Sequence, residues 1–392
     1  MIHLFLNALA ASAGAGLTYV RNIVPKISAR VDVRATIALM PSLRQEFQES
    51  SNVAFVELEA TGTADRFWKE QRLLPKMIRD AAADVLISTG NFALRKSPVP
   101  QILLSGNSLY TSADFSRDVW ARHDYSAWLD TRIKAFFAKR SVLWTDVTVA
   151  PSRAFADVLH QWTGREVASI YHGFNREQFF RDVAPLPSNV QEKIDAADGS
   201  LKLIFVSHYN YYRNFETLLR ALPLLREKIP QRKVKLFLTC KLQSDQNPGS
   251  YKAECASALV RKLDIADSVV ELGSIPYHQL HHVYRSADIY VTPAYAETFA
   301  HPLVEAMACD LPIVASDTPV HREICAGSAV FFERFSPEAL SAQIVKVAEA
   351  PDLASELKNH GEKRSADFSW SDHLNKILAI AQRLRTESMK TR

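Results

Sequence analysis

Two glutamates, Glu297 and Glu305, stand eight residues apart in the stretch 293–317, PAYAETFAHPLVEAMACDLPIVASD. An ionised carboxylate accepts several hydrogen bonds, so two of them can grip a polyhydroxylated ligand from opposite sides. Between them lie Phe299, Ala300 and His301, followed by Pro302. Proline is favoured at the first helical position, where its missing N–H costs nothing, so a helix is expected to begin at Pro302. The free amides at Phe299, Ala300 and His301 would then point out of the positive end of that helix, a setting suited to a phosphate. Glu305 falls in the first turn of the expected helix and can accept two hydroxyls, as a ribose diol requires. Glu297, on the loop, reaches the other flank of the same pocket.

Such groups need a rigid frame, and the pattern around them supplies one. In the first half, short apolar runs at 2–8, 31–39, 52–58, 83–89, 100–106 and 145–152 read as strands. Helical stretches separate them, at TYVRNIVPKI, at SLRQEFQES, at 65–83 and over a long region 118–140. A further strand follows at VASIYHGF. Apolar strands alternating with helices describe a parallel sheet covered on both faces. The segment 181–200 is polar, holds two prolines and has little periodicity, which reads as an interdomain connection. A second series follows, with strands at 201–208, 233–240, 268–274, 287–294, 312–317 and 329–333. Helices fill the gaps at 215–228, 250–263, 277–285, 302–309 and 337–349. The fold class is therefore α/β, with two Rossmann-like domains and a cleft expected between them. Ligands in such sheets collect at the carboxyl ends of the strands.

Composition narrows the field further. The 392 residues are 47% hydrophobic and 23% charged, as in folded globular chains, and exceed the usual size of a single α/β unit. A net charge of +4 argues against a dedicated polycation, and no nucleic-acid module is visible. Four cysteines, Cys240, Cys255, Cys309 and Cys325, form no metal-ligand spacing and suit reduced thiols in a cytoplasmic protein. The apolar N-terminus could pass for a signal peptide but lacks its basic region, so a buried first strand is preferred.

The letters around the two acids resemble a known pattern. ETFAHPLVEAMACDLPIVASD is similar to the E-x7-E element of retaining GT-B-fold glycosyltransferases of the large family 4 group (glycosyl transferases group 1), through Glu297, Phe299, Pro302, Glu305, Ala306, Met307, Ala308 and Pro312. VSHYNYYRNFETLLRALPLL resembles the same family's strand, loop and helix that carry a phosphate-binding cation, which maps that role onto Arg213. The family's other arginine falls near His208. IYHGFNREQFF resembles the exit from the first domain, by Gly173, Asn175 and Phe179. FSWSDHLNKIL resembles the closing segment, whose last helix returns to the first domain. SAGAGLTYVRN resembles the small loop that faces the donor, with Gly14 and Gly16 permitting close backbone approach. The family usually has a histidine in the loop that here reads LLSGNSLYTS, where Asn107 is the nearest polar residue. It often has glycine where Thr298, Ala300 and Asp310 stand.

The resemblance implies two GT-B domains, 1–180 and 181–371, with helix 372–392 completing the first. It implies transfer of a sugar from a UDP- or GDP-linked donor, with retention, to a glycan or lipid-linked acceptor in surface polysaccharide synthesis. Arg213 and Glu297 take catalytic roles in that reading. Glu305, the amides at 299–301, His208, Gly14, Gly16 and Asn107 bind substrate, and neither metal nor cofactor is required. The alternatives are a GT-B-fold nucleotide-sugar epimerase and a non-catalytic nucleotide-sugar-binding partner. Two other features compete for attention. His278, His281 and His282 share helical spacing, which reads as a solvated face rather than a metal site. The segment 128–144 interleaves Arg132, Lys134, Lys139 and Arg140 with Trp128, Phe136, Phe137 and Trp144. A core helix with a basic outer face is the preferred reading there. Peripheral contact with the inner membrane face is the rival.

Overall fold

The computed structural model describes residues 1–11, 14–249 and 251–391, with the backbone alone described at Ala15 and Thr391. Ser12, within the expected donor-facing loop, and Ser250, the expected start of a helix, lie outside the described residues. The chain divides into two compact units.

The first unit holds residues 1–111, 129–173 and 369–392. Its strands are β1 (Ile2–Asn7), β2 (Val33–Leu39), β3 (Val53–Glu57), β4 (Val85–Ser88), β5 (Gln101–Leu104), β6 (Val147–Ala150) and β7 (Val167–Ser169). They form one parallel sheet in the order β3-β2-β1-β4-β5-β6-β7. Every residue of β1 is buried, as a central strand covered by helices on both faces requires. The closing helix Trp370–Thr391 buries Trp370, Leu374, Ile377, Leu378 and Ala381 in the same core as Ile23, Val24 and Ile27 of the helix Gly14–Ser28. Gly173 lies against this helix. A Cβ there would sit 2.1 Å from the backbone nitrogen of Trp370, so only glycine fits.

The second unit holds residues 112–128 and 174–368. Its strands are β8 (Leu201–Phe205), β9 (Val234–Leu238), β10 (Val269–Glu271), β11 (Ile289–Thr292), β12 (Ile313–Ser316) and β13 (Ala329–Phe332), in the order β10-β9-β8-β11-β12-β13. All pairs are parallel, and β8 meets β11 with Leu203 opposite Ile289 and Ile204 opposite Tyr290. The strand order reverses between β8 and β11. In open parallel sheets that reversal opens a crevice at the carboxyl ends of the strands.

Several expectations need correction. SLRQEFQES forms only a short helix, Pro41–Arg44. The region 118–140 is two helices, Ala113–Ala121 and Tyr125–Trp144, and the break falls at Arg122–Asp124, where His123 takes a positive φ. The polar connection 181–200 contains the helix Ser188–Asp195, which buries Val190 and Ile194. The segment 112–128, expected inside the first domain, groups with the second unit. Polar side chains fasten it there. Tyr211 Oη donates to Asp124 at 3.0 Å and Tyr295 Oη to Asp118 at 2.8 Å. Arg122 pairs with Glu216 at 2.9 Å, and Arg334 with Asp114 at 2.6 Å. Among the described residues no helix is long and apolar enough to cross a membrane.

Candidate functional site

The reversal between β8 and β11 brings two loops together. The loop after β8 runs to the short 3-10 turn Tyr211–Arg213, whose start is capped by Asn210. The loop after β11 carries Glu297. Two contacts brace one loop on the other: the Tyr295 amide donates to the Tyr212 carbonyl at 3.0 Å, and Asn214 Nδ2 donates to the Pro293 carbonyl at 3.2 Å. Residues 84 positions apart are thereby joined, and the Arg213 guanidinium forms an ion pair with the Glu297 carboxylate. Both side chains are largely buried, and Arg213 also lies over the Tyr212 ring at 4.9 Å. Burial alone would lower the Arg213 pKa, but the neighbouring Glu297 carboxylate outweighs it and raises it, so the guanidinium stays cationic. Arg213 Nε is buried without a hydrogen-bond partner.

The helix that follows is His301–Ala308, one residue earlier than expected, so Pro302 is its second residue. Its N-cap is Ala300, held in the left-handed region at φ 63°. Asp310, just past its end, is also left-handed at φ 59°. These are two of the three positions where the resembled family often has glycine. The backbone conformation is therefore kept, and a side chain bears its cost.

Glu305 lies in the second turn of that helix rather than the first. It is buried at 5% exposure and accepts a hydrogen bond from Tyr284 Oη at 2.8 Å. Burial pushes its pKa up to about 7, against the smaller opposing effect of the Tyr284 bond. Tyr290 on β11 joins the two acids into one electrostatic neighbourhood: its pKa is raised by burial, and Arg213, Glu305 and Glu297 all act on it.

The other expected residues divide. Phe299 is buried against Phe368 and His301, at 5.3 and 4.8 Å between ring centroids. Desolvation lowers His301 to about 4, so its ring is neutral at neutral pH. His208 is exposed, yet desolvation first and the Arg213 charge second lower its pKa. A neutral imidazole there is no substitute for a permanent cation. In the first unit, Gly14 opens its helix at φ 58°, while Gly16 lies inside the first turn and not on a loop. The Asn107 side chain is occupied, capping the turn Ser108–Tyr110 by accepting from the Leu109 amide at 3.0 Å. His278 and His282 both contact Asp182, through its carboxylate at 3.2 Å and its carbonyl at 3.1 Å.

Three groups escaped the sequence reading. Tyr284 holds Glu305. Asp118 holds Tyr295 beside the Glu297 loop. His321, fully buried, accepts or donates at Ser316 through Nδ1 and leaves Nε2 without a partner. None of the three has a local signal, because each acts on a residue far away in the chain or across a turn.

The arrangement can bind an anion and several hydroxyls at once. Two unit folds of this kind, in this order, define a class. The chain matches sucrose-phosphate synthase from Thermosynechococcus elongatus with a TM-score of 0.76, at 15% identity, over 99% of this chain and 100% of that one. It matches Anabaena HepE, solved in complex with UDP-glucose, with a TM-score of 0.66, at 16% identity, over 100% of both. At these identities the likeness is one of fold. A sequence model of the family described as glycosyl transferases group 1 matches residues 188–364. The fold is therefore the GT-B one, two Rossmann-like α/β units with parallel sheets, and residues 188–364, a little under half of the chain, are similar to the glycosyl transferases group 1 family. Among curated relatives, D-inositol 3-phosphate glycosyltransferase of Segniliparus rotundus is 31% identical over 124 residues, 31% of this chain and 28% of that protein. The chain spans about half the length, or less, of the curated relatives it matches.

Proposed function

We propose that the protein is a retaining glycosyltransferase of the family 4 type. It would move a sugar from a UDP- or GDP-linked donor to a glycan or lipid-linked acceptor in surface polysaccharide synthesis. One observation carries the reading. Arg213 is ion-paired with Glu297, and the loops that hold the two residues leave adjacent strands where the sheet order reverses.

In this reading the bond between the anomeric carbon and the diphosphate oxygen breaks, and negative charge grows on the leaving diphosphate. The 299–301 amides and Arg213 stabilise that charge, and such preorganised donors are usually the largest catalytic contribution. Arg213 and Glu297 act as a unit: the guanidinium takes a phosphate oxygen while the carboxylate takes a donor-sugar hydroxyl. Glu305, ionised, accepts the ribose diol. His208 lines the diphosphate end without adding charge. Gly14 and Gly16 are assigned to the donor-facing loop, and Asn107 to the acceptor side, through the resemblance. The UDP-glucose held by HepE supports a nucleotide-sugar donor. The glycosyltransferase names among the curated relatives support transfer.

A thermal-shift screen of nucleotides and nucleotide sugars identifies base and sugar, since a ligand that binds only the folded state raises its melting temperature. NMR of the reaction with the best donor, with and without acceptor glycans, then reads the chemistry. Transfer with the donor's anomeric configuration kept is the expected result. An isomerised sugar nucleotide formed without acceptor would establish an epimerase instead. Tight donor binding with no turnover across acceptors would leave only the binding role.

A further inference from the structure

We propose that the outward faces of two neighbouring helices of the first unit dock the protein on an anionic lipid bilayer. The helices are Thr63–Asp80 and Tyr125–Trp144, the latter from Leu129 onward. On the second of them Leu129, Ile133, Phe136, Arg140 and Leu143 follow one another at helical spacing, and all five are exposed. Its inner face is satisfied separately, by the buried Ala138, Ser141 and Val142. The outer apolar residues are therefore surplus to the core. Trp68, 57% exposed, extends the patch on the first helix.

The helices adjoin. Phe67 packs on Phe137 at 5.1 Å between ring centroids, and each touches its outward neighbour, Trp68 at 5.9 Å and Phe136 at 5.5 Å. Trp68 and Phe136 thus flank one seam. Single exposed apolar residues are ordinary, whereas five gathered along one seam mark an interaction surface.

Charge decides the occupant. Arg72, Lys76, Arg79, Arg132 and Arg140 are exposed among these residues. The exposed acids beside them, Asp80 and Asp130, are matched by Lys76 and Lys134 at 2.7 and 2.6 Å. Arg72 and Arg140 lie over the Trp68 and Phe136 rings, so cation and apolar surface point the same way. A symmetric contact with a second copy would set like charges on one another. An anionic bilayer accepts both components: tryptophan rests at headgroup level, and arginine stems bury while their heads reach phosphate. One such helix binds weakly, so two on one side with the four arginines give the attachment its strength.

The full chain is floated with vesicles of phosphatidylcholine and phosphatidylglycerol in equal parts, and with phosphatidylcholine alone. Binding to the anionic vesicles, weakening as salt rises, is expected. Arg72→Gln with Arg140→Gln should lower the partition about 25-fold, at about fivefold per cation removed. Phe136→Ser should lower it too, and Lys358→Gln, on the second unit, should not. Brominated lipid should quench fluorescence in the parent chain and less in Trp68→Phe. All replaced side chains are exposed, so matching circular dichroism and melting temperature certify the fold. Equal binding to both vesicle types, no flotation at low salt, or an unaffected double variant would overturn the proposal. So would a dimer in sedimentation that the same substitutions dissolve, which would assign the face to a second copy. Because binding alone is read, these outcomes do not depend on the transferase reading.

Discussion

Replacing Glu305 by glutamine should make the protein more stable and its donor binding weaker, with a gap that depends on pH. The carboxyl is buried, its pKa is raised from the ordinary 4.5 to about 7, and Tyr284 donates to it. The folded state therefore binds the proton more tightly than the unfolded chain does. Between pH 4.5 and 7 the folded state holds the extra proton, so stability falls as pH rises. The benefit is complete below pH 4.5 and gone above about 7. At roughly 1.4 kcal/mol per pH unit, the whole swing is about 3 kcal/mol. Glutamine stays neutral and still offers Tyr284 an oxygen, so Glu305→Gln should match the parent near pH 4.5 and exceed it by about 3 kcal/mol at pH 8. In a unit of this size that is roughly 6–12 °C in melting temperature. A second buried carboxyl, Glu70, is also raised to about 7, but it is common to both proteins and cancels in the difference. Donor binding runs the other way. If the ribose diol needs the ionised acid, the parent's affinity should fall about tenfold per unit below pH 7. Glutamine should bind about 30-fold more weakly at pH 8, the difference between two charge-assisted and two neutral hydrogen bonds. Parallel melting curves from pH 5 to 8, with and without nucleotide, give both quantities. A stability difference that stays flat with pH would refute the burial argument. Pronounced pH dependence of stability beside unchanged nucleotide affinity would refute the ribose assignment alone.

Other substitutions test the neighbouring groups. Arg213→Ala should lower kcat by far more than it weakens binding of the free nucleoside, because the nucleoside carries no phosphate; unchanged turnover in steady-state assays would remove Arg213 from the site. Ala300→Gly should stabilise the second unit by up to about 1 kcal/mol, since glycine adopts φ 63° without the penalty alanine bears there, and Ala300→Val should do the reverse, as read by urea titration. Gly173→Ala should cost about 1–3 kcal/mol or more, because its Cβ would meet the Trp370 backbone and not a yielding side chain, and a near-parental urea midpoint would contradict the packing described.

Much of the frame could be read from the residues because its signals are local. Apolar runs bounded by helices gave both parallel sheets, and the helices Phe215–Lys228 and Pro337–Glu349 fall where their periodicity puts them. Failures occurred where a distant partner decides. SLRQEFQES has helical composition, yet its helix stops after one turn, and Leu43 and Phe47 still enter the core of the first unit. The segment 112–128 looks like any other helical stretch. Its membership of the second unit depends on Asp114, Asp118, Arg122 and Asp124 finding partners at Arg334, Tyr295, Glu216 and Tyr211. The start of the helix His301–Ala308 was misplaced by one residue because its cap is an alanine in a glycine conformation, which composition does not announce.

The candidate site shows the same division. Each loop could be recognised from its own letters, but nothing in either announces the other. What joins them is topology. In a parallel sheet, neighbouring strands end on the same edge, so the segments that leave β8 and β11 must emerge side by side. Arg213 follows the first and Glu297 the second, and their ion pair is a consequence of that adjacency. The pair also restrains what each partner can do. An unpaired buried guanidinium would be costly, and so would an unpaired buried carboxylate, but together they keep full charge inside the protein. A ligand that takes one of them must compensate the other. A phosphate set beside a hydroxyl meets both demands in one molecule, and the proposed donor, a sugar linked to a diphosphate, carries both.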